Sequence, residues 1–143
     1  MKIIFCIFGC ATKYHYKQQI LKIKETWGKH AIENHDEVLF FVGEEKTDLQ
    51  GKDIIYLEGI QNDYYSASEK QNLGLQYIYK NQYTYDFVFV AGTDTYINID
   101  ILHEYIEKQN PQENICIEPI GKKISTTKII YHLYSHTYYK YFA

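Results

Sequence analysis

The chain has 143 residues with a formal net charge of −3; 45% of its residues are hydrophobic and 17% aromatic. That length suits one domain with a core of its own. The charge offers no electrostatic attraction for nucleic acid or an anionic membrane surface. All 15 basic residues are lysines, so a phosphate must be met by Lys, backbone N–H groups or helix N-termini and never by a bidentate Arg.

Lys2 to Phe8 reads as a buried strand. Its apolar stretch, Ile3 to Phe8, is too short for a secretory signal, and no later stretch approaches the roughly 20 apolar residues that span a bilayer. Gly9 to Tyr14 is a loop. Tyr16, Ile20, Ile23 and Trp27 recur at helical spacing, which predicts a helix stopped by Gly28 with Trp27 in the core. Val38 to Val42 is a second strand, ended by Gly43, and Asp53 to Leu57 a third. Asn62 and Asp63 are the expected caps of a long helix running to about Lys80. Asp86 to Ala91 is a fourth strand. Ile99, Leu102 and Ile106 mark the helix after it, with Asn98 as its cap and Asn110-Pro111 as its end. Ile115 to Glu118 is a further strand candidate, and Lys123 to Tyr131 is rich in β-formers. Strands alternating with helices predict a single α/β domain, Rossmann-like, with a mostly parallel sheet and helices on both faces.

Three cysteines, Cys6, Cys10 and Cys116, give no even disulfide framework. They read as small buried hydrophobes in a reducing compartment. The expectation is a soluble, cytoplasmic protein, in a host's cytoplasm if the gene is viral.

Residues 86–98 carry the most chemical information. Phe87 to Ala91 is a continuous apolar run, as suits a parallel strand buried on both faces. It breaks at Gly92, and a lone carboxylate, Asp94, follows. In an open α/β sheet, ligands bind beyond the carboxyl ends of the strands, which is where Asp94 falls. The competing reading is an ordinary Gly-Thr-Asp turn.

Four phrases, in register over about residues 2–107, resemble one family. Lys22 to Gly28 (Lys-Ile-Lys-Glu-Thr-Trp-Gly) is similar to an Ile-Arg-x-Thr-Trp-Gly segment of the β-1,3-galactosyltransferase and Fringe-like glycosyltransferases. Val38-Leu-Phe-Phe-Val-Gly43 resembles the strand that follows it there. Lys70 to Tyr79 resembles a Lys-Thr…Tyr-Ile helix of the core-1 galactosyltransferase branch. Val90-Ala-Gly-Thr-Asp-Thr-Tyr-Ile97 resembles Lys-Ala-Asp-Asp-Asp-Thr-Tyr-Val. The resemblance implies a GT-A-like fold that transfers a hexose from a UDP-sugar to a hydroxyl of a glycan or protein acceptor, with a divalent ion, usually manganese.

Carried over by position, the resemblance puts the nucleotide-sugar at Gly9, Cys10, Ala11, Thr12, Lys70, Gly92, Thr93 and Asp94. Asp94 matches a metal ligand; Gly92 and Thr93 stand where the family has two further carboxylates. The family's late His ligand has a stand-in at His136, four residues after His132. Those two also read as a surface pair, and Lys70 also reads as an ordinary solvated helix lysine. Gly9 to Thr12 is either a ligand loop or a plain connection. The acceptor-side half, with its Glu-Asp base motif, has no counterpart, so no catalytic base can be named. The alternative is a degenerate, non-catalytic domain that binds nucleotide-sugar or serves assembly. The Tyr-rich tail from Tyr131 could pack on the sheet, line a sugar site or join two copies of the chain.

Overall fold

A computed structural model describes residues 1–109 and two further short strands. Strands β1 (Ile3–Phe8), β2 (Glu37–Gly43), β3 (Ile54–Leu57) and β4 (Phe87–Gly92) form one sheet in the order β3-β2-β1-β4. Every pairing in it is parallel, with Ile4 against Glu37, Ile3 against Phe87 and Phe40 against Ile54. The helices are α1 (Tyr14–Glu25), α2 (Trp27–Glu33), α3 (Ala67–Lys80) and α4 (Ile99–Ile106). Strands β5 (Ile115–Ile117) and β6 (Lys123–Ser125) form a separate antiparallel pair. The expected α/β domain with helices on both sheet faces is the fold observed.

The continuous apolar run of β1 is explained by its central place. Ile3, Phe5 and Ile7 point into one layer with Ile20 and Ile23 of α1, Trp27 and Ala31 of α2, and Ile99 and Ile106 of α4. Ile4 and Cys6 point the other way, into a layer with Leu39, Phe41 and Ile78 of α3. Successive strand residues face opposite sides, so both sets must be apolar. A Cβ on Gly74 would lie 2.9 Å from both Cys6 Sγ and the Phe41 ring, so the missing side chain lets α3 settle directly on the sheet.

Three local expectations are corrected. First, Gly28 does not stop a helix. The chain turns at Thr26, whose backbone leaves the helical region (φ −117°, ψ −113°), and α2 begins at once. Thr26 Oγ1 donates to the Lys22 carbonyl at 2.6 Å, a back-bond that helps bend the chain there. Gly28 lies inside α2, where a Cβ would meet the Ile23 carbonyl at 2.7 Å; its role is close approach at the corner. Second, α3 starts at Ala67 with Ser66 as its cap residue, later than Asn62 and Asp63 would set it. Asp63 instead accepts from Ser66 N and Oγ, at 2.8 and 2.6 Å, and shapes the turn before the helix. Third, β4 is an edge strand among the described residues, and Val90 is 38% exposed, so its run is not buried on both faces there.

Because all four strands run one way, their carboxyl ends share one edge. The loops after β1, β3 and β4 and the end of β2 meet there. At the opposite edge a polar clamp holds the layers together. Asp36, with no side-chain exposure, accepts from Ile3 N at 2.9 Å and lies 2.6 Å from His103 Nε2 on α4.

Candidate functional site at the carboxyl edge of the sheet

The parallel β1–β4 pairing aligns Phe8 with Gly92, so the loops after both strands leave the sheet side by side. Asp94 lies two residues beyond β4 and is exposed. A Cβ on Gly92 would sit 2.8 Å from Asp94 Oδ1, so the carboxylate folds back over the space that a side chain at 92 would fill. The glycine at 92 and the position of Asp94 are thus coupled. A carboxylate at 92, as in the family pattern, would have to displace Asp94.

Thr93 turns away from this edge. It is buried, and its Oγ1 donates to Gln19 Oε1 at 2.7 Å. Its methyl group fills the space above Gly9, where a Cβ would lie 2.7 Å from Thr93 Cγ2. Thr93 and Gly9 therefore lock the β4 loop against the β1 loop and hold the site's frame. The β4 loop has a second tie: Trp27 Nε1 donates to the Thr95 carbonyl at 3.2 Å while its ring packs 5.4 Å from that of Phe5. Asn98 caps α4, its side chain accepting from Ile101 N at 3.1 Å.

The β1 loop is held from its other side by Asn62. Asn62 Oδ1 accepts from Ala11 N at 3.1 Å and from Gly43 N at 2.9 Å, joining the ends of β1 and β2. Cys10 Sγ donates to the Asn62 carbonyl at 3.1 Å. Cys10 and Ala11 are buried by these contacts, and Thr12 is exposed at the rim. Asn62 Nδ2 is buried with no hydrogen-bond partner among the described residues.

Lys70, in the first turn of α3, is only 2% exposed. Its Nζ donates to the Asp63 carbonyl at a long 3.4 Å. Burial pushes its pKa below the ordinary lysine value, opposed by the nearby Asp63 carboxylate. Asp63 itself is held below the usual carboxylate range by the Ser66 hydroxyl and backbone N–H. Cys6, inside the sheet, is different in kind: burial alone pushes its thiol up to about 12, so it stays protonated.

The structure thus brings Gly9, Cys10, Ala11, Thr12, Lys70, Gly92, Thr93 and Asp94 to the loops and helix start at one edge. It divides them into a frame (Gly9, Cys10, Ala11, Thr93), exposed groups (Thr12, Asp94) and one buried cation (Lys70). His132 and His136 lie outside the described residues. Among the described residues no group of three or more His, Cys, Asp or Glu side chains could hold a metal ion. One carboxylate is too little to hold a divalent ion alone, but enough to meet one already carried by phosphate oxygens. Asn62, Gln19 and the Trp27–Thr95 bond are the site's supports that sequence reading missed.

Comparisons with protein-family models, with curated proteins and with solved structures return no match. Among the described residues no helix is long and apolar enough to cross a membrane.

Proposed function

We propose that this domain binds a UDP-sugar at the carboxyl edge of its sheet and serves a glycosyltransferase of the β-1,3-galactosyltransferase and Fringe-like kind. The observation that carries the reading is Asp94, an exposed carboxylate just past β4 and beside the β1 loop, with backbone room made by Gly92. Parallel sheets of this kind take their ligands at that edge. The nucleotide would lie over the β1 loop, with its phosphates toward β4. A divalent ion, manganese on the family resemblance, would arrive with the diphosphate and meet Asp94; bound there, it would neutralise charge on the departing UDP.

The rim supplies a second kind of support. Tyr14, Tyr64, Tyr65 and Tyr96 are all more than three-quarters exposed. Each lies in or just after a loop at this same edge. A tyrosine ring offers an apolar face to the C–H side of a hexose and a hydroxyl to its polar groups. The free, buried Cys6 and Cys10 fit a reducing compartment, and the reading places the protein in the cytoplasm.

A non-catalytic binding domain is the second reading. Gly92 and Thr93 stand where the family has acidic residues, and the Thr93 hydroxyl is engaged by Gln19. Incubation with radiolabelled UDP-hexoses and simple hydroxyl acceptors separates the two. Transfer supports the enzyme; UDP binding without transfer supports the binding domain; and absence of any UDP binding defeats both.

A further inference from the structure

We propose that Gln19 is a positioning residue: its bond to Thr93 sets the direction in which Asp94 offers its carboxylate to a cation carried by the ligand, an inference that rests on the reading above. Asp94 does not fix its own direction. Its carboxylate is exposed and makes no ion pair among the described residues. The aim of the side chain is therefore left to the backbone on either side of it.

Thr95 N donates to the Gly92 carbonyl at 3.2 Å, which closes a turn over Gly92–Thr95 with Asp94 at its third position. Both neighbours of Asp94 are tied to the helices on one face of the sheet. On the far side, Trp27 Nε1 holds the Thr95 carbonyl. On the near side, Thr93 Oγ1 donates to Gln19 Oε1 at 2.7 Å. Thr93 is only 6% exposed, so its hydroxyl has little water to turn to instead. Gln19 is itself firmly held. The next residue, Ile20, is fully buried, and Ile23 one turn further on lies in the same layer against β1. The turn cannot rotate about Thr93 without breaking that bond.

The two ends of the Thr93 side chain do different work. Its methyl group packs above Gly9, and apolar contact has no preferred direction. Its hydroxyl makes a hydrogen bond, which does have one. A merely structural Gln19 would only have to satisfy the buried hydroxyl, and removing both partners would serve stability equally well. A positioning Gln19 is needed for the direction of the bond itself. Gln19 need not touch the ligand to act in this way.

The test is calorimetric titration of UDP, with and without manganese, into the full chain and its Gln19→Met, Thr93→Val, Thr93→Ser and combined Gln19→Met, Thr93→Val variants, with the melting temperature of each. Met keeps the length of Gln without its acceptor, and Val keeps the methyl of Thr without its hydroxyl. The gain in UDP affinity that manganese brings should fall about 3- to 10-fold in Gln19→Met and in Thr93→Val. The combined variant removes both partners, so its melting temperature should recover toward the parent's while its manganese gain stays low. Thr93→Ser keeps the hydroxyl and loses the methyl above Gly9, so it should melt lower and retain most of the gain. A manganese gain that simply follows melting temperature across the variants, or that is unchanged in Gln19→Met, overturns the proposal. Hydrogen exchange at the Thr95 amide reads the turn without any ligand. Faster exchange in Gln19→Met, beside a parent chain that binds no UDP, keeps the tether and removes the nucleotide. Unchanged exchange overturns the tether whatever UDP does.

Discussion

Replacing Asp36 with alanine tests how the layers are held in register beneath the site. Its carboxylate has no solvent exposure and two partners, Ile3 N at 2.9 Å and His103 Nε2 at 2.6 Å. Alanine leaves the Ile3 amide, at the buried start of β1, without an acceptor; that alone costs about 1–3 kcal/mol. Loss of the His103 contact, a hydrogen bond to a charged group, adds about 1.5–3 kcal/mol. The two are coupled through one carboxylate, so a combined loss of about 3–5 kcal/mol is expected, a large fraction of a typical domain's 5–15 kcal/mol. Asn at 36 keeps an acceptor for Ile3 and loses mainly the charge, for about 1–2 kcal/mol. Urea unfolding followed by fluorescence of Trp27, the single tryptophan, buried against Phe5, reads both values. A loss under about 1 kcal/mol for Asp36→Ala, or equal losses for the two variants, would refute the clamp.

Gly9→Ala should press on the Thr93 methyl, 2.7 Å from the new Cβ, and cost about 1–3 kcal/mol by overpacking; an unchanged urea midpoint would show that the two loops are not locked. Lys70→Met should raise stability at neutral pH, because the lysine's folded pKa lies below its unfolded value and protonation therefore opposes folding. The sign then requires wild-type stability to rise as pH climbs from the lowered folded value toward 10.5, where the burden of the charge is gone. The advantage of Lys70→Met should shrink over that interval; thermal melts of both proteins at pH 7 and pH 9.5 measure it, and a constant gap would mean that Lys70 is not a strained cation.

Much of the frame was legible in the sequence because it depends on local pattern. The unbroken apolar run of β1 marks a central strand, Gly92 marks the end of β4, and Asn98 caps α4 by a bond three residues away. What escaped depends on contacts far apart in the chain. Asn62 reads as a helix cap until Gly43 and Ala11, 19 and 51 residues earlier, are brought to its side chain. Lys70 reads as a solvated lysine, since one helical turn does not reveal that tertiary packing buries it against the Asp63 carbonyl. The corner at Thr26 was hidden because Trp27 keeps the helical spacing of Ile20 and Ile23 across a break in the helix. The half-exposed β4 shows that an apolar run fixes a strand without fixing how many neighbours it has.

The central claim is that a nucleotide sits at the carboxyl edge with Asp94 facing its phosphates. Calorimetric titration of UDP into the parent chain and into Asp94→Ala, with and without manganese, tests it most directly. The account predicts that manganese strengthens UDP binding in the parent chain and that this gain disappears in Asp94→Ala, whose fold stays intact because Asp94 is exposed. An equal manganese effect in both proteins, or no UDP binding by the parent chain, would contradict it.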